Sequence, residues 1–205
     1  VLFVKRERWN RFILLTLTVV GLLITISNFQ EESILGIYTT HKPFEWTTEQ
    51  LASYNLAFLL STSVGQIIAA VLFRRVLSLS YSTIVLVAIF SAVGSAAVMA
   101  MAAETWHIYL KLIFDALSGA SEGANTKIIS EIVSPNEMGK VMSISLVLST
   151  TGAVLLNASL NELLIVAASG HNARLVWVAL ASVCCLVMLV WLPGHAVYLR
   201  ENKLK

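Results

Sequence analysis

The feature that most limits the fold of this chain is a series of six long apolar stretches, separated by short polar segments. Each stretch meets or exceeds the roughly 20 residues that an α-helix needs to cross a lipid bilayer. The chain is 57% hydrophobic and only 13% charged, whereas about a quarter of the residues of a soluble domain are charged. So few charges cannot cover a soluble protein of this size, and we therefore predict an integral membrane protein.

The spacing of these stretches predicts an all-α, multi-pass membrane protein with six transmembrane helices. The predicted spans are residues 12–38, 51–73, 79–103, 106–133, 138–168 and 173–192. Residues 1–11 precede this bundle as the cytoplasmic end of a loop in a longer chain, and residues 193–205 follow it as a tail. We thus expect one six-helix bundle with a short extension at each end.

Two of the predicted helices begin with capping signals in the sequence. Thr47 is followed three residues later by Gln50, a pair whose side chains can each bond the other's backbone amide. Ser134 is followed by Pro135 and Glu137, which places proline at the first helical position, where its missing N–H costs nothing. The second and fifth helices are therefore expected to begin at these positions.

Basic residues predict the orientation of the bundle. Most of the 14 Lys and Arg residues fall at the two ends of the chain and in the loops on that same side, while Lys42 and Arg174 lie in loops on the other. By the positive-inside rule, both termini are cytoplasmic. No strongly basic face or nucleic-acid motif is present, so we expect no nucleic-acid partner.

The fourth apolar stretch differs from the others because it contains charges along one face. At 100° per residue, six polar residues fall near one line of this helix: His107, Lys111, Asp115, Ser118, Glu122 and Asn125. A central charge that faces lipid costs about 3 kcal/mol on the insertion scale. This face is therefore expected to point toward other helices or a water-filled cavity.

Two further helices carry polar faces, which predicts a common aqueous cavity. The polar face of the first helix contains Thr18, Gly21, Thr25, Asn28 and Glu32. The polar face of the fifth contains Ser143, Thr150, Asn157 and Asn161. The second, third and sixth helices are mostly apolar and are expected to act as scaffold. Gly119 and Gly123 form a spacing that lets a neighbouring helix approach closely.

The charges of the fourth helix allow two interpretations. Lys111 and Asp115 are one turn apart and can neutralise each other, with no role beyond packing. Glu122 has no cation one turn away on its own helix, and an unpaired carboxylate in apolar surroundings holds its proton more tightly, as proton coupling requires. Lys127 lies on the opposite side of the helix, where Glu131 can pair with it.

The fourth predicted helix also contains a match to a serine-hydrolase motif. Residues 119–123 read GASEG and fit the G-x-S-x-G pattern, but that pattern acts at a strand-to-helix elbow, and Ser121 lies within a predicted helix. An intramembrane serine protease also needs a histidine at membrane depth on another helix. The histidines outside the fourth helix lie near predicted span ends: His41, His171 and His195. The protease remains an alternative, and no zinc-ligand spacing or cofactor motif is present.

Six spans with cytoplasmic ends and polar first, fourth and fifth helices resemble one half of a major facilitator transporter, in which two bundles enclose a site at mid-membrane. More narrowly, residues 127–145 resemble the proton-coupled folate transporter and thymic stromal cotransporter family of that superfamily. The matching residues there are Ser130, Ile132, Val133, Glu137, Gly139 and Ser143. Residues 44–57 resemble the start of the family's eighth helix, and residues 72–75 resemble the basic loop that follows it.

The resemblance implies alternating-access transport of a proton and a small organic anion, with a second six-helix half as partner, in the plasma or lysosomal membrane. Asp115 and Glu122 are then the proton-coupling candidates, with Lys111 as charge partner. The cavity candidates are Asn28, Glu32, Ser118, Asn125, Lys127 and Asn157. Thr126 occupies the position of the family's tenth-helix arginine, and Lys127 is the next residue. This departure from the family argues against folate as the transported substrate. A six-span receptor or scaffold without transport is the alternative.

Overall fold

The computed structural model describes residues 11–21, 35–36, 38–40, 44–169 and 173–203, and their side chains except at 69–70, 122, 153, 156–169, 173–176 and 201–203. Regular secondary structure in this part of the chain is entirely helical. The helices in chain order are α1 (Arg11–Gly21), α2 (Thr48–Ile68), α3 (Tyr81–Met101), α4 (Thr105–Ser118), α5 (Ala120–Ile132), α6 (Pro135–Ser169) and α7 (Ala173–Lys203). The all-helical prediction is thereby confirmed, while residues 1–10 of the predicted loop lie outside the described residues.

Three helical segments in the described part of the chain are long and apolar enough to cross a membrane: Thr48–Val76, Tyr81–Met101 and Trp177–Arg200. They coincide with the second, third and sixth predicted spans. The described part of the first predicted span, α1, is a shorter apolar helix. By length and composition these three segments are candidate membrane spans, and the full count of six stays a prediction.

The fourth predicted span consists of two helical segments that meet at Gly119, whose backbone stays in the right-handed helical region (φ −58°, ψ −20°). Helix α4 has 14 residues and ends at Ser118, and α5 has 13 residues and begins at Ala120. Gly119 forms a turn between them. Each helix alone is shorter than the roughly 20 residues of a span, so only the two together have the length to cross a bilayer.

The Thr47–Gln50 capping signal acts as the sequence predicts, and helix α6 begins at the predicted proline. The amide of Thr47 donates to Oε1 of Gln50 (2.9 Å), and the amide of Gln50 donates to Oγ1 of Thr47 (3.3 Å). Helix α6 begins at Pro135, and the amide of Glu137 donates to the carbonyl of Ser134 (3.0 Å). Local sequence therefore fixes where α2 and α6 begin.

Helix α2 continues directly into a π-helical segment, Ala69–Val76. At its end the amide of Leu77 donates to the carbonyl of Leu72 (2.9 Å), five residues earlier, as π-helical geometry requires. The guanidinium of Arg74 lies over the ring of Tyr81, 4.4 Å from its centre. This cation–π contact ties the end of the α2 segment to the start of α3.

Helix α7 passes through Pro193 and continues to Lys203. The predicted tail, residues 193–205, therefore begins as a continuation of the sixth helix rather than as a separate segment. Gly194 lies against α1, since a Cβ at this position would be 3.1 Å from Cγ2 of Thr16. Helices α7 and α1 consequently pack closely at this end of the bundle.

The helices pack around α3, which contacts α7 and α4 most extensively, and α4 also lies against α2. Buried apolar residues form two separate clusters. One includes Ile84 and Ile89 of α3 together with residues of α1, α5 and α7. The other includes Ala96 and Met99, at the opposite end of α3, together with Trp177. The middle of the bundle lies between these two apolar clusters.

Candidate functional site

A cavity of about 530 Å³ lies in the middle of the bundle, and each helix from α1 to α7 contributes residues to its wall. Along α3 its lining extends from Ala88 to Ala96, the stretch that separates the two apolar clusters. Pockets for small molecules in proteins typically measure about 300 to 1,000 Å³. The cavity therefore has the size and central position of a small-molecule site.

More helices contribute to the wall of this central cavity than the sequence predicts. Helices α2, α3 and α7 were expected to be scaffold, yet Gln66, Ser95 and Trp177 on these helices line the cavity. The prediction is wrong for these helices because isolated polar and aromatic residues in an apolar helix do not form a continuous stripe. The place of these residues at the cavity becomes visible only once the neighbouring helices are in place.

A buried ion pair forms part of this wall. Nζ of Lys111 lies 2.5 Å from Oδ2 of Asp115, one helical turn away, and the two residues are 0% and 4% exposed. Oγ of Ser95 donates to the other carboxylate oxygen, Oδ1, at 2.7 Å. Two charges removed from water are stable only when they are paired and hydrogen-bonded. Both oxygens of Asp115 are therefore held, one by a cation on its own helix and one by α3.

Helix α4 is held closely by both neighbours near Asp115. Oγ of Ser91 on α3 donates to the carbonyl of Phe114 at 2.7 Å. On the other side, Gly65 of α2 touches the backbone of Ala116, where a Cβ on residue 65 would overlap the Ala116 carbonyl oxygen. The carboxylate thus projects from a stretch of helix whose backbone is fixed on two sides, which makes its position well defined.

Gly119 and Gly123, at and just after the α4–α5 junction, differ in how closely other residues approach them. A Cβ at Gly119 would lie 3.1 Å from the carbonyl oxygen of Thr62 on α2, so the predicted close approach is confirmed there. A Cβ at Gly123 would meet nothing within 4 Å, and the prediction is wrong for that residue. The close approach occurs at the junction itself, because α2 crosses there.

Three predicted site residues line the cavity: Asp115, Ser118 and Asn125. Lys111 does not line it, but is buried behind Asp115 with its ammonium group 5.4 Å from the centre of the Phe58 ring. Phe58 and Asp115, the two side chains next to this ammonium group, both line the cavity. The predicted charge partner of Asp115 is therefore present, although Lys111 itself is not a lining residue of the cavity.

Lys127, a predicted cavity candidate, is not part of the cavity wall. Its Nζ lies 3.9 Å from Oε1 of Glu131, with side chains 50% and 37% exposed, which confirms the predicted pairing on the outward side of α5. Four other candidates fall outside the described part of the chain, either as whole residues or as side chains: Asn28, Glu32, Glu122 and Asn157.

Two polar atoms beside the cavity are buried without a hydrogen-bond partner among the described residues: Oδ1 of Asn125 and Nε1 of Trp177. Both residues line the cavity, and Trp177 is 0% exposed. More than nine in ten buried polar groups have a partner, so an unpaired acceptor and an unpaired donor at one cavity are notable. Sequence reasoning missed Trp177, because its place near a span end is equally typical of interfacial tryptophans.

Ser95 is a further residue of the site that was not predicted from the sequence. A usable signal existed, since Ser91 and Ser95 are four residues apart and share a face of an otherwise apolar helix. Such a pair of small polar residues is common where one transmembrane helix bonds to another. In the structure both hydroxyls donate to α4, so this face of α3 positions the ion pair.

The protease alternative gains no geometric support from the described residues. Oγ of Ser121 donates to the carbonyl of Ser118 (2.9 Å) on its own helix. A serine–histidine contact does occur between Oγ of Ser82 and Nδ1 of His195 (2.6 Å). Ser82 is completely buried and does not line the cavity, so this hydrogen bond joins α3 to α7 and has no space for a substrate.

The cavity with its ion pair is the strongest candidate for a functional site in the described part of the chain. Comparison of the chain with models of protein families gave no match, and comparison with curated proteins gave none either. The resemblance to the major facilitator superfamily therefore stays a prediction, and the geometry of the cavity is the main basis for assigning a function.

Proposed function

We propose that this chain is one six-helix half of a transporter that moves a small solute across a membrane by alternating access, coupled to a proton. The observation that carries the proposal is the central cavity of about 530 Å³ with a buried ion pair in its wall. Helices that only support one another pack to the density of organic crystals and leave few voids. A cavity of this size at the centre of the bundle, with polar and apolar residues in its wall, favours a solute site.

Asp115 is the coupling group in this proposal. Asp115 lines the cavity, so a proton can reach it from there, and protonation would remove the negative charge of the ion pair. Loss of one charge from a buried ion pair is strongly destabilising, so the helices around the pair would then favour a different arrangement. A proton thereby biases two states of the bundle, which is what alternating access requires.

The resemblance adds two elements to this proposal. A second six-helix bundle would close the cavity from the other side, and the two bundles would rock about the solute. Glu122 is a second candidate for proton coupling, since no cation lies one turn away on its own helix. A receptor or scaffold is the competing function, in which the Lys111–Asp115 pair would specify helix packing alone.

The test is proton-driven uptake by the whole protein in cells, with surface expression measured in parallel. We expect Lys111→Met combined with Asp115→Leu, which removes both charges of the buried pair and leaves neither alone, to abolish uptake driven by a pH gradient while surface expression is retained. Glu131→Gln is the control, since it neutralises the acid of the exposed pair, and it should retain uptake. Uptake retained in the double variant would remove the pair from the mechanism, and a wild-type protein without any proton-driven flux would favour the scaffold.

A further inference from the structure

We infer that the proton taken up by the buried ion pair binds Oδ1 of Asp115, and that the hydroxyl of Ser95 on α3 changes from hydrogen-bond donor to acceptor when the proton arrives. The inference rests on the proposed transport function and names the atom that holds its coupling proton. It follows from the partners of the two carboxylate oxygens, from the burial of both residues, and from what an ammonium group and a hydroxyl group can each accept.

The two carboxylate oxygens of Asp115 have different partners. Oδ2 lies 2.5 Å from Nζ of Lys111, whereas Oδ1 accepts a hydrogen bond from Oγ of Ser95 at 2.7 Å. Asp115 is 4% exposed and Ser95 is 3% exposed, so water competes little with either contact. Both residues line the central cavity, which gives a proton a route to the Ser95 side of the ion pair.

The chemistry of these two partners decides which oxygen takes the proton. An ammonium group has three donors and no acceptor, so a proton on Oδ2 would point at another donor. A serine hydroxyl has one donor and two acceptor lone pairs, so it can rotate and accept a hydrogen bond from a protonated Oδ1. A buried O–H group without an acceptor is costly. The proton therefore binds the oxygen that faces Ser95.

The groups around the ion pair come from the three helices that pack against α4, which are α2, α3 and α5. The neighbours that α2 and α3 place beside the pair do not titrate: Phe58, Gly65, Ser91 and Ser95. In α5 the acid nearest in sequence is Glu122, whose side chain lies outside the described side chains. Lys127 and Glu131 pair with each other on the outward side of α5. Among the described side chains, Lys111 is therefore the charged group that faces Asp115.

Reversal of this hydrogen bond changes the contact between α3 and α4. Once Ser95 accepts from Oδ1, its own hydrogen needs a new acceptor, and a serine in a helix can reach the carbonyl four residues earlier, here that of Ser91. The neutral acid also no longer offsets the charge of Lys111. One proton thus weakens the ion pair within α4 and rearranges its bond to α3, a helix that the sequence predicts to be scaffold.

The test follows the carboxyl group itself, by infrared difference spectroscopy of the whole protein in lipid nanodiscs between neutral and acid pH, and it needs no solute. A protonated carboxyl group has a C=O stretching band, and the band of Asp115 is the one that Lys111→Met combined with Asp115→Leu removes. Ser95→Ala removes a bond that is about twice as strong to a charged carboxylate as to a neutral acid. We therefore expect the midpoint of the band's titration to move to higher pH by about one unit. The band itself should move to higher frequency, because the acid has lost its acceptor.

Two matched variants separate this hydrogen bond from packing. Ser95→Thr keeps a hydroxyl group and should retain the wild-type midpoint and frequency. Ser91→Ala removes the other hydroxyl on this face of α3, which donates to the backbone carbonyl of Phe114, and it should leave both values unchanged. If Ser95→Ala does not fold, Ser95→Cys, whose thiol is a weak donor and a weak acceptor, should move both values in the same directions by a smaller amount.

The remaining outcomes separate the role of Ser95 from the transport function. An unchanged band in Ser95→Ala, or equal shifts in Ser95→Ala and Ser91→Ala, would overturn the inference, and loss of uptake in the Lys111–Asp115 double variant would still support transport. A wild-type protein with no band from Asp115 would contradict both protonation at Oδ1 and coupling through this residue. The expected shifts combined with retained uptake in the double variant would support the inference about Oδ1 and remove the pair from transport.

Discussion

Two ion pairs of the same spacing lie in the α4–α5 segment and differ in almost every physical respect. Lys111 and Asp115 in α4 have side chains 1% and 6% exposed and a 2.5 Å contact. Lys127 and Glu131 in α5 have side chains 50% and 37% exposed and a 3.9 Å contact. Both are i, i+4 pairs with the lysine first, so spacing alone does not distinguish them.

The difference arises from the helices around each pair. Asp115 faces α3, where Ser95 donates to it, and the adjoining backbone of α4 touches Gly65 of α2. Lys127 and Glu131 face away from the cavity and are partly exposed. Spacing along a helix decides whether two charges can meet, whereas the packing of other helices decides whether the pair is buried. Only the buried pair responds strongly to the loss of one charge.

The largest expected effect comes from the lysine of the buried pair. Lys111→Met leaves the carboxylate of Asp115 buried without its cation, and we expect a loss of about 3 to 5 kcal/mol in the free energy of unfolding. Lys127→Met removes the cation of the exposed pair and should cost less than about 1 kcal/mol. Equilibrium unfolding in mixed micelles measures both variants.

A double variant shows whether the unpaired charge is the cause. Lys111→Met combined with Asp115→Leu replaces the buried pair by apolar side chains, and such replacements are often neutral or stabilising. The double variant should therefore be more stable than Lys111→Met alone. If it is equally unstable, the loss comes from disturbed packing, and the contrast between the two pairs has a different origin.

The next effect concerns the close packing that surrounds only the first pair. Gly65→Ala places a methyl group on the backbone of Ala116, and we expect a loss of about 3 kcal/mol, the upper end of the usual cost of overpacking, because a backbone has to move. Gly123→Ala in α5 meets nothing within 4 Å and should be neutral or stabilising by up to about 1 kcal/mol. Equal losses in both variants would mean that α4 and α5 are equally confined.

The smallest expected effect on stability comes from removing one of two serine hydrogen bonds, a buried one at Ser95 and an exposed one at Ser130. Ser95→Ala leaves Oδ1 of Asp115 without its donor in the buried interior, at an expected cost of about 1 to 2 kcal/mol. Ser130→Ala removes a hydroxyl that donates to the carbonyl of Lys127 in an exposed position and should change stability by less than about 0.5 kcal/mol. Thermal unfolding of the two variants side by side provides the measurement, and a larger loss in Ser130→Ala would reverse the comparison.

Local features of the fold followed from the sequence because they depend on residues close together in the chain. The Thr47–Gln50 cap and the Lys127–Glu131 pair were predicted from residue types three or four positions apart, and both are present. The Lys111–Asp115 contact was likewise one of two stated possibilities. The junction at Gly119 was not predicted, because its backbone stays helical and glycine is common within transmembrane helices.

Contributions from other helices could not be predicted in the same way. Ser95, Gln66 and Trp177 lie on helices that the sequence marks as apolar, and their place at the cavity depends on how those helices are rotated. The same limit explains the error at Gly123, where the spacing is right for helix contact but an added Cβ would meet nothing within 4 Å. Residue patterns give the faces of a helix, and only the assembled bundle shows which neighbour each face meets.

The most direct test of this account asks whether the central cavity contains water in the membrane. Single cysteines replace Ser118 in the cavity wall and Leu59, which is 61% exposed on α2 outside it, in a protein that also carries Cys184→Ala and Cys185→Ala. The thiolate that reacts with a charged maleimide forms in water and not in lipid. The account predicts labelling of Ser118→Cys and no labelling of Leu59→Cys in opened vesicles. Labelling of Leu59→Cys while Ser118→Cys resists the reagent would contradict it.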